Sequence, residues 1–400
     1  MSTAEAIGVP GRAAPAPFTP PPGNPRFPLF DGLRGAAAVG VLLGHCAGIS
    51  GAATTTAFGH VVGNLQMGVT VFFVISGFLL YRPFVTADIC GSQRPGLATF
   101  YRRRILRIVP GYWFALLAVS LLPGVISVFG PGWWRYFLLI QNYSGFNFAF
   151  ARGIGPAWSL SVEVAFYLTL PLFAWLMSRA AGRSPGRRLA WDLAALALLA
   201  LASAALRANL IDSIVSNPGK PNELAGTAIL TLPLYLTWFA VGMAFASLSA
   251  WTQATGRSPA ALTAVAARPG VAWLVAAGAF LALALVSPTL PAGEYPIHHV
   301  MTGLVAALLV FPAAFPRPGG GGMPALLLKA RPVAWVGLVS YGIYLWSTPV
   351  IETLVHRGIL ANPRPFLTLT AATLALAIVA GAFSYYVVER PFLKLKLRQA

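Results

Sequence analysis

His45 follows Arg34 by eleven positions inside an otherwise apolar stretch, Leu33 to Ser50, that is long enough to cross a bilayer. At 100° per residue, eleven steps return to within about 20° of the starting face. Both side chains therefore point the same way, about 16 Å apart along the axis. If Arg34 snorkels at one membrane surface, His45 lies near the middle of a roughly 30 Å hydrocarbon core. An imidazole at that depth is costly, and an ionisable group inside a membrane is a functional candidate by default. The bland alternative is a histidine tied by a hydrogen bond to a neighbouring helix.

Two other sites carry chemistry. Arg104 and Arg107 stand i, i+3 in Arg102-Arg103-Arg104-Ile105-Leu106-Arg107-Ile108-Val109-Pro110, at the expected start of a third helix. On one helix face such a pair makes a guanidinium fork suited to phosphate groups. Ordinary positive-inside anchoring explains Arg102 and Arg103 well and the deeper Arg107 less well. Glu163, in Trp158-Ser159-Leu160-Ser161-Val162-Glu163, lies within an apolar run, whereas most of the ten Asp and Glu sit in loops or at helix ends. Its helix is expected to enter from outside, so Glu163 should lie a turn or two below the outer surface and approach His45 from the other direction. Pairing with an Arg of the bundle is the structural alternative.

The elements that position these groups must be membrane helices. Of the 400 residues 57% are hydrophobic and 10% charged, against about 25% charged in a soluble domain. Lipid permits only helices or closed barrels, and long Leu-, Ala-, Val- and Phe-rich runs select an all-α bundle. Apolar runs at roughly 33–51, 62–81, 105–122, 157–178, 190–207, 226–248, 271–287, 298–315, 333–354 and 366–388 predict about ten transmembrane helices. The aromatic stretch 132–150 breaks at Asn142-Tyr143-Ser144-Gly145, too early to span, and is expected to be interfacial or re-entrant.

With both termini cytoplasmic, 22 of the 28 Lys and Arg fall in inner segments and 6 in outer ones, as the positive-inside rule requires. The net charge of +18 is therefore topology, and nucleic-acid binding is excluded. Residues 1–28, rich in proline, predict a disordered cytoplasmic tail and lack the apolar core of a signal peptide. One membrane domain over 29–393 and a short basic tail, 394–400, complete the organisation. Internal repeats of the kind that organise many transporters are absent. Cys46 and Cys90 form no disulfide framework and no metal spacing. No metal site is expected, since the adjacent His298 and His299 face different ways on a helix.

The sequence resembles the acyltransferase-3 family of integral membrane acyltransferases. The matching motifs are Asp31-Gly32-Leu33-Arg34-Gly35 running to His45, Val71-Phe72-Phe73-Val74-Ile75-Ser76-Gly77-Phe78-Leu79, and Arg104-x-x-Arg107-Ile108-x-Pro110-x-Tyr112. They continue with Trp158-Ser159-Leu160 to Glu163, Ser340-Tyr341-Gly342-Ile343-Tyr344-Leu345, and Glu389-Arg390-Pro391-Phe392. Each is weak alone; six in order over almost the whole chain are specific. The resemblance implies ten helices and transfer of an acyl group from cytoplasmic acyl-CoA, a co-substrate rather than a bound cofactor, to an acceptor hydroxyl. It implies that Arg34 and His45 are essential, that Arg104 and Arg107 serve the donor, and that Glu163 belongs to the site. One departure stands out: where family members often carry His after Ser-Tyr-x-x-Tyr-Leu-x, this chain has Ser347.

Acyl transfer from a thioester needs a base for the acceptor hydroxyl, a stabilised oxyanion and a grip on the donor. The expectation is His45 as base, with Glu163 orienting the imidazole as a carboxylate does in a triad. Ser76, Tyr341 and Ser347 are accessory candidates. An acyl-histidine or acyl-Ser76 intermediate stays open, although Ser76 lacks the flanking glycines of a nucleophile elbow and direct transfer is preferred. The expected acceptor is a carbohydrate, a glycolipid of the cell envelope or a macrolide-type metabolite, and the expected location is the plasma membrane. The competing readings are a proton-coupled transporter or exporter and a non-catalytic membrane sensor.

Overall fold

A computed structural model describes residues 28–181, 184–215, 227–287, 295–316 and 322–395, and among these there is no strand. The expected disordered tail, apart from Pro28, and the end of the basic tail lie outside the described residues. The long helices are α1 (Pro28–Ile49), α2 (Gly68–Cys90), α3 (Leu97–Val119), α4 (Trp158–Ala181) and α5 (Pro185–Val215). They continue as α6 (Leu236–Thr255), α7 (Pro269–Val286), α8 (Tyr295–Ala314), α9 (Arg331–His356) and α10 (Pro365–Phe383). Eight helical stretches among the described residues are long and apolar enough to cross a membrane. Neither α3, which carries Arg102, Arg103, Arg104 and Arg107, nor α6 is among them. The chain is a multi-pass membrane helix bundle.

Small residues set the closest crossings, as expected where van der Waals packing drives helix association in lipid. A Cβ on Gly77 of α2 would overlap the backbone of Phe239 in α6, and one on Gly242 of α6 would overlap Val74 of α2. Gly35 of α1 and Gly337 of α9 meet in the same way, Gly337 lying against the Asp31 carbonyl. Beside the first crossing, the Phe239 ring stacks on Phe73 at 4.6 Å and on Phe166 at 4.0 Å, joining α2, α6 and α4.

One buried polar network ties α2, α5 and α6. Arg188 is fully buried; it bonds Asp88, donates from Nε to Asp192 Oδ1 at 2.9 Å and from Nη2 to the Tyr81 hydroxyl at 3.0 Å. Tyr81 donates to Asp192 Oδ1 at 2.8 Å and Ser247 to Asp192 Oδ2 at 2.7 Å. Arg188, read from sequence as a topology charge, is also a structural cation.

Several boundaries differ from expectation. Helix α3 starts at Leu97 rather than near 105, because the Arg-rich approach to the apolar run is itself helical. Arg104 and Arg107 therefore lie two to three turns inside α3 instead of opening it. Helix α2 runs on to Cys90 through Pro83, where Arg82 donates to Ser249 and Gln253 of α6 at 3.2 and 2.7 Å. Stretch 132–150 does not span. It forms Trp133–Phe137, Gln141–Ser144 and Phe146–Phe150, none longer than five residues. Tyr112 of α3 pins it by donating to the Tyr136 carbonyl at 2.8 Å, and Asn142 pins it by donating to the Trp158 and Leu230 carbonyls at 2.8 and 2.7 Å. This folded-in segment covers the start of α4, where Ala157 and Ser159 are buried. Helix α4 thus begins inside the protein.

Candidate active site

Helices α1, α2, α3, α4 and α9 enclose a cavity of about 260 Å³ lined by Arg34, Ser76, Arg104, Arg107, Glu163 and Tyr341, among others. Five of the six sequence motifs contribute. Ser76 Oγ donates to Glu163 Oε1 at 2.6 Å. Arg34 stands within electrostatic reach of Asp31, Arg107 and Glu163. Arg104 lies 5.9 Å from the centroid of the Tyr167 ring. Tyr341 donates to the Ile108 carbonyl at 2.8 Å and so locks α9 to α3 beside Arg107.

Among the described residues, none of Arg34, Arg104 and Arg107 lies within ion-pair distance of a carboxylate; the pairs present involve Arg94 and Arg188. Three guanidiniums around one lining carboxylate leave the cavity net positive, a site for phosphate or developing oxyanion charge.

His45 is elsewhere. It lines a second cavity of about 880 Å³ on the far side of Val69 and Tyr344, the two residues shared with the arginine cavity. Its Nδ1 lies 3.4 Å from Thr348 Oγ1. With Nδ1–H donated to Thr348, Nε2 keeps its lone pair for an incoming hydroxyl. The expected Glu163–His45 contact is not formed: Glu163 is turned to Ser76 and the arginines.

A third cavity, about 450 Å³, is lined by Gln93, Arg94, Thr99 and Arg103 and shares Leu79, Leu80 and Arg104 with the central one. The three cavities therefore adjoin in series: the Arg-rich end of α3, then the arginine cavity, then the His45 cavity.

Among the accessory candidates, Ser76 and Tyr341 belong to the central site. Ser347 lines none of the three cavities: it is buried and donates to the Tyr344 carbonyl of its own helix at 3.0 Å. Its neighbour Thr348 is the residue that meets His45, and sequence reasoning missed it. It also passed over Tyr344, which walls both cavities and whose hydroxyl donates to the Pro156 carbonyl at 3.0 Å and meets Ser159 Oγ at 2.7 Å. Glu389 of the last motif is buried in a π-helical turn, Ser384–Glu389, and accepts from Ser384 Oγ at 3.3 Å, with Arg107 in electrostatic reach. Among the described residues no cluster of His, Cys, Asp or Glu could hold a metal.

Residues 28–384 match the family model described as an acyltransferase domain. The chain is 29% identical to the acyltransferase MdmB of Streptomyces mycarofaciens, over 94% of each protein. It is 27% identical to nodulation protein 10 of Rhizobium leguminosarum bv. viciae, over 82% of each. It is 25% identical to the peptidoglycan O-acetyltransferase OatA of Listeria monocytogenes, over 92% of this chain and 56% of that longer protein. No solved structure matches.

Proposed function

The chain belongs to the acyltransferase-3 family of membrane O-acyltransferases, and we propose that it moves an acetyl or other short acyl group from cytoplasmic acyl-CoA to a hydroxyl presented from the opposite side of the plasma membrane. The proposed acceptor is a carbohydrate, glycolipid or macrolide-type molecule. A relative that is a peptidoglycan O-acetyltransferase supports the carbohydrate member of that set. Membership of an enzyme family sets the exporter and sensor readings aside.

The observation that carries the proposal is the series of adjoining cavities, with three arginines in the middle that have no ion-pair partner among the described residues and an imidazole beyond them. Acyl-CoA enters at the Arg94–Arg103 end, and Arg104 and Arg107 take its phosphates by charge-assisted hydrogen bonds. The thioester arm then extends past Arg34 toward the Val69–Tyr344 wall. His45 Nε2 removes the acceptor proton as the hydroxyl attacks the thioester carbonyl. The C–S bond breaks, and the thiolate leaves with the proton returned by the imidazolium.

A second route is favoured by one contact. Ser76, whose hydroxyl already donates to Glu163 at 2.6 Å, attacks the thioester as Glu163 takes its proton, and CoA thiol leaves. The acceptor hydroxyl, giving its proton to His45, then attacks the Ser76 ester; the Ser76 Oγ–acyl bond breaks, and Oγ recovers a proton from the imidazolium.

The test supplies purified protein in lipid with radiolabelled acyl-CoA and model glycosides. Label should enter the glycoside with equimolar release of CoA thiol, and a wild-type protein that does neither overturns the reading. Ser76→Ala separates the routes: retained turnover supports direct transfer, and its loss supports the relay. Cysteines introduced at 184–187 should resist external labelling in intact cells and those at 357–364 should accept it; the reverse pattern inverts the sidedness.

A further inference from the structure

The His45 cavity holds a cation that the reaction above does not use. Arg207 of α5 enters it from the face where few Lys and Arg occur, against the usual charge bias. Its guanidinium lies over the Tyr235 ring, 5.5 Å from the centroid. Nε and Nη1 are buried and, among the described residues, have no hydrogen-bond partner. A snorkelling anchor would carry these atoms out to water.

Among the described residues no carboxylate answers this charge: none lies within ion-pair distance of Arg207 and none lines the cavity. The groups within electrostatic reach include His298 and His299, which add no negative charge. His298 is occupied by Asn64 Oδ1 at 3.3 Å and Thr302. His299 stacks on Trp238 at 4.1 Å and leaves its Nε2 buried and unpartnered. Buried unpaired donors are costly unless a ligand meets them. Donors of this kind beside Trp and Tyr faces suit a sugar that carries an oxyanion.

We infer that Arg207, with His299 beside it, is an anion subsite that selects acceptors bearing a carboxylate or phosphate on the sugar whose hydroxyl reaches His45. This rests on the acyltransfer reading and adds a substrate class to it: acidic glycans are preferred over their neutral counterparts. Because Arg207 and His45 line one cavity, fixing the anion at one wall also fixes which hydroxyl meets the base at the other.

The test is calorimetric titration of the full-length protein in lipid nanodiscs with methyl glucuronide and methyl glucoside. Wild type should bind the glucuronide at least tenfold more tightly. Arg207→Gln should bring the glucuronide down to the glucoside level, and Arg207→Lys, which keeps the charge and controls for folding, should keep part of the preference. Competition by inorganic phosphate supports an oxyanion site. Equal binding of the two glycosides by wild type, no binding of either, or a preference that survives Arg207→Gln overturns the inference. So does displacement of the glucuronide only by phosphatidylglycerol in the nanodisc, which would make Arg207 a lipid anchor. Acyl-CoA turnover by the same preparation is scored separately. Selective binding without turnover counts against the reaction alone, and turnover without selective binding counts against the subsite alone.

Discussion

Arg188 and the arginines of the central cavity both lie inside this bundle and meet opposite fates. Arg188 has its charge answered by Asp88 and Asp192, with Tyr81 and Ser247 completing the network. Arg34, Arg104 and Arg107 surround a cavity, and among the described residues none has an ion-pair partner. The first arrangement consumes its own polarity and leaves nothing for a ligand. The second withholds it. A buried charge satisfied by the protein is a structural device, whereas one left unmet at a cavity wall is poised for something that arrives.

The sharpest test of that contrast lies at His45, a cavity-facing group whose one hydrogen-bond contact among the described residues is the long one to Thr348. His45→Ala should lower turnover by about 10²–10⁴-fold, the usual range for general-base catalysis. Thermal unfolding should barely move, since a side chain with so little bonding holds nothing together. Near-normal turnover by folded protein would remove His45 from the chemistry.

Arg188→Gln should show the opposite signature. Breaking a buried pair by removing one partner typically costs about 3–5 kcal/mol, so the midpoint of thermal unfolding in detergent should fall steeply. Replacing Arg188, Asp88 and Asp192 together by apolar residues of similar size should recover much of the loss, because no charge is then stranded. If Arg188→Gln left stability intact while abolishing CoA binding, the division between Arg188 and the cavity arginines would collapse.

Next in size are the donor arginines. A hydrogen bond to a charged group is worth about 1.5–3 kcal/mol, so Arg104→Ala and Arg107→Ala should each weaken acyl-CoA binding by roughly 10- to 150-fold. Arg107→Lys should recover only part of it, since an ammonium cannot supply a planar fork. Measured CoA affinity decides the matter, and an unaltered affinity in the double variant would reduce both residues to topology signals.

Much of this is legible in the sequence. Lipid forces helices, so the apolar runs of the ten long helices could be read from composition, as could the failure of 132–150 to span at Asn142–Gly145. The motif residues Arg34, Ser76, Arg104, Arg107, Glu163 and Tyr341 do share one cavity. What eluded the sequence depends on long-range geometry. Arg188 meets partners on a different helix about a hundred residues away, and no local pattern announces that. The start of α3 was misplaced because arginine, a good helix former, reads as loop on a hydropathy scale. The meeting of Glu163 with Ser76 rather than with His45 is likewise long-range, since it joins α4 to α2 across 87 residues of sequence.

With Glu163 turned away, the partner that remains for the imidazole is Thr348, and its effect should be the smallest of the series. A neutral hydrogen bond is worth about 1 kcal/mol net, and at 3.4 Å this one is long. Thr348→Val keeps the shape and deletes the hydroxyl, so kcat should fall roughly fivefold with KM for acyl-CoA unchanged. Thr348→Ser returns the hydroxyl and should return most of the rate, which a purely steric role would not predict. If Thr348→Val matched wild type, Thr348 would have no part in orienting His45. If Thr348→Val lost as much as His45→Ala, the threonine would have to act on the substrate itself. An intermediate loss rescued by serine assigns the threonine to holding Nδ1–H, so that Nε2 faces the cavity where the acceptor must lie.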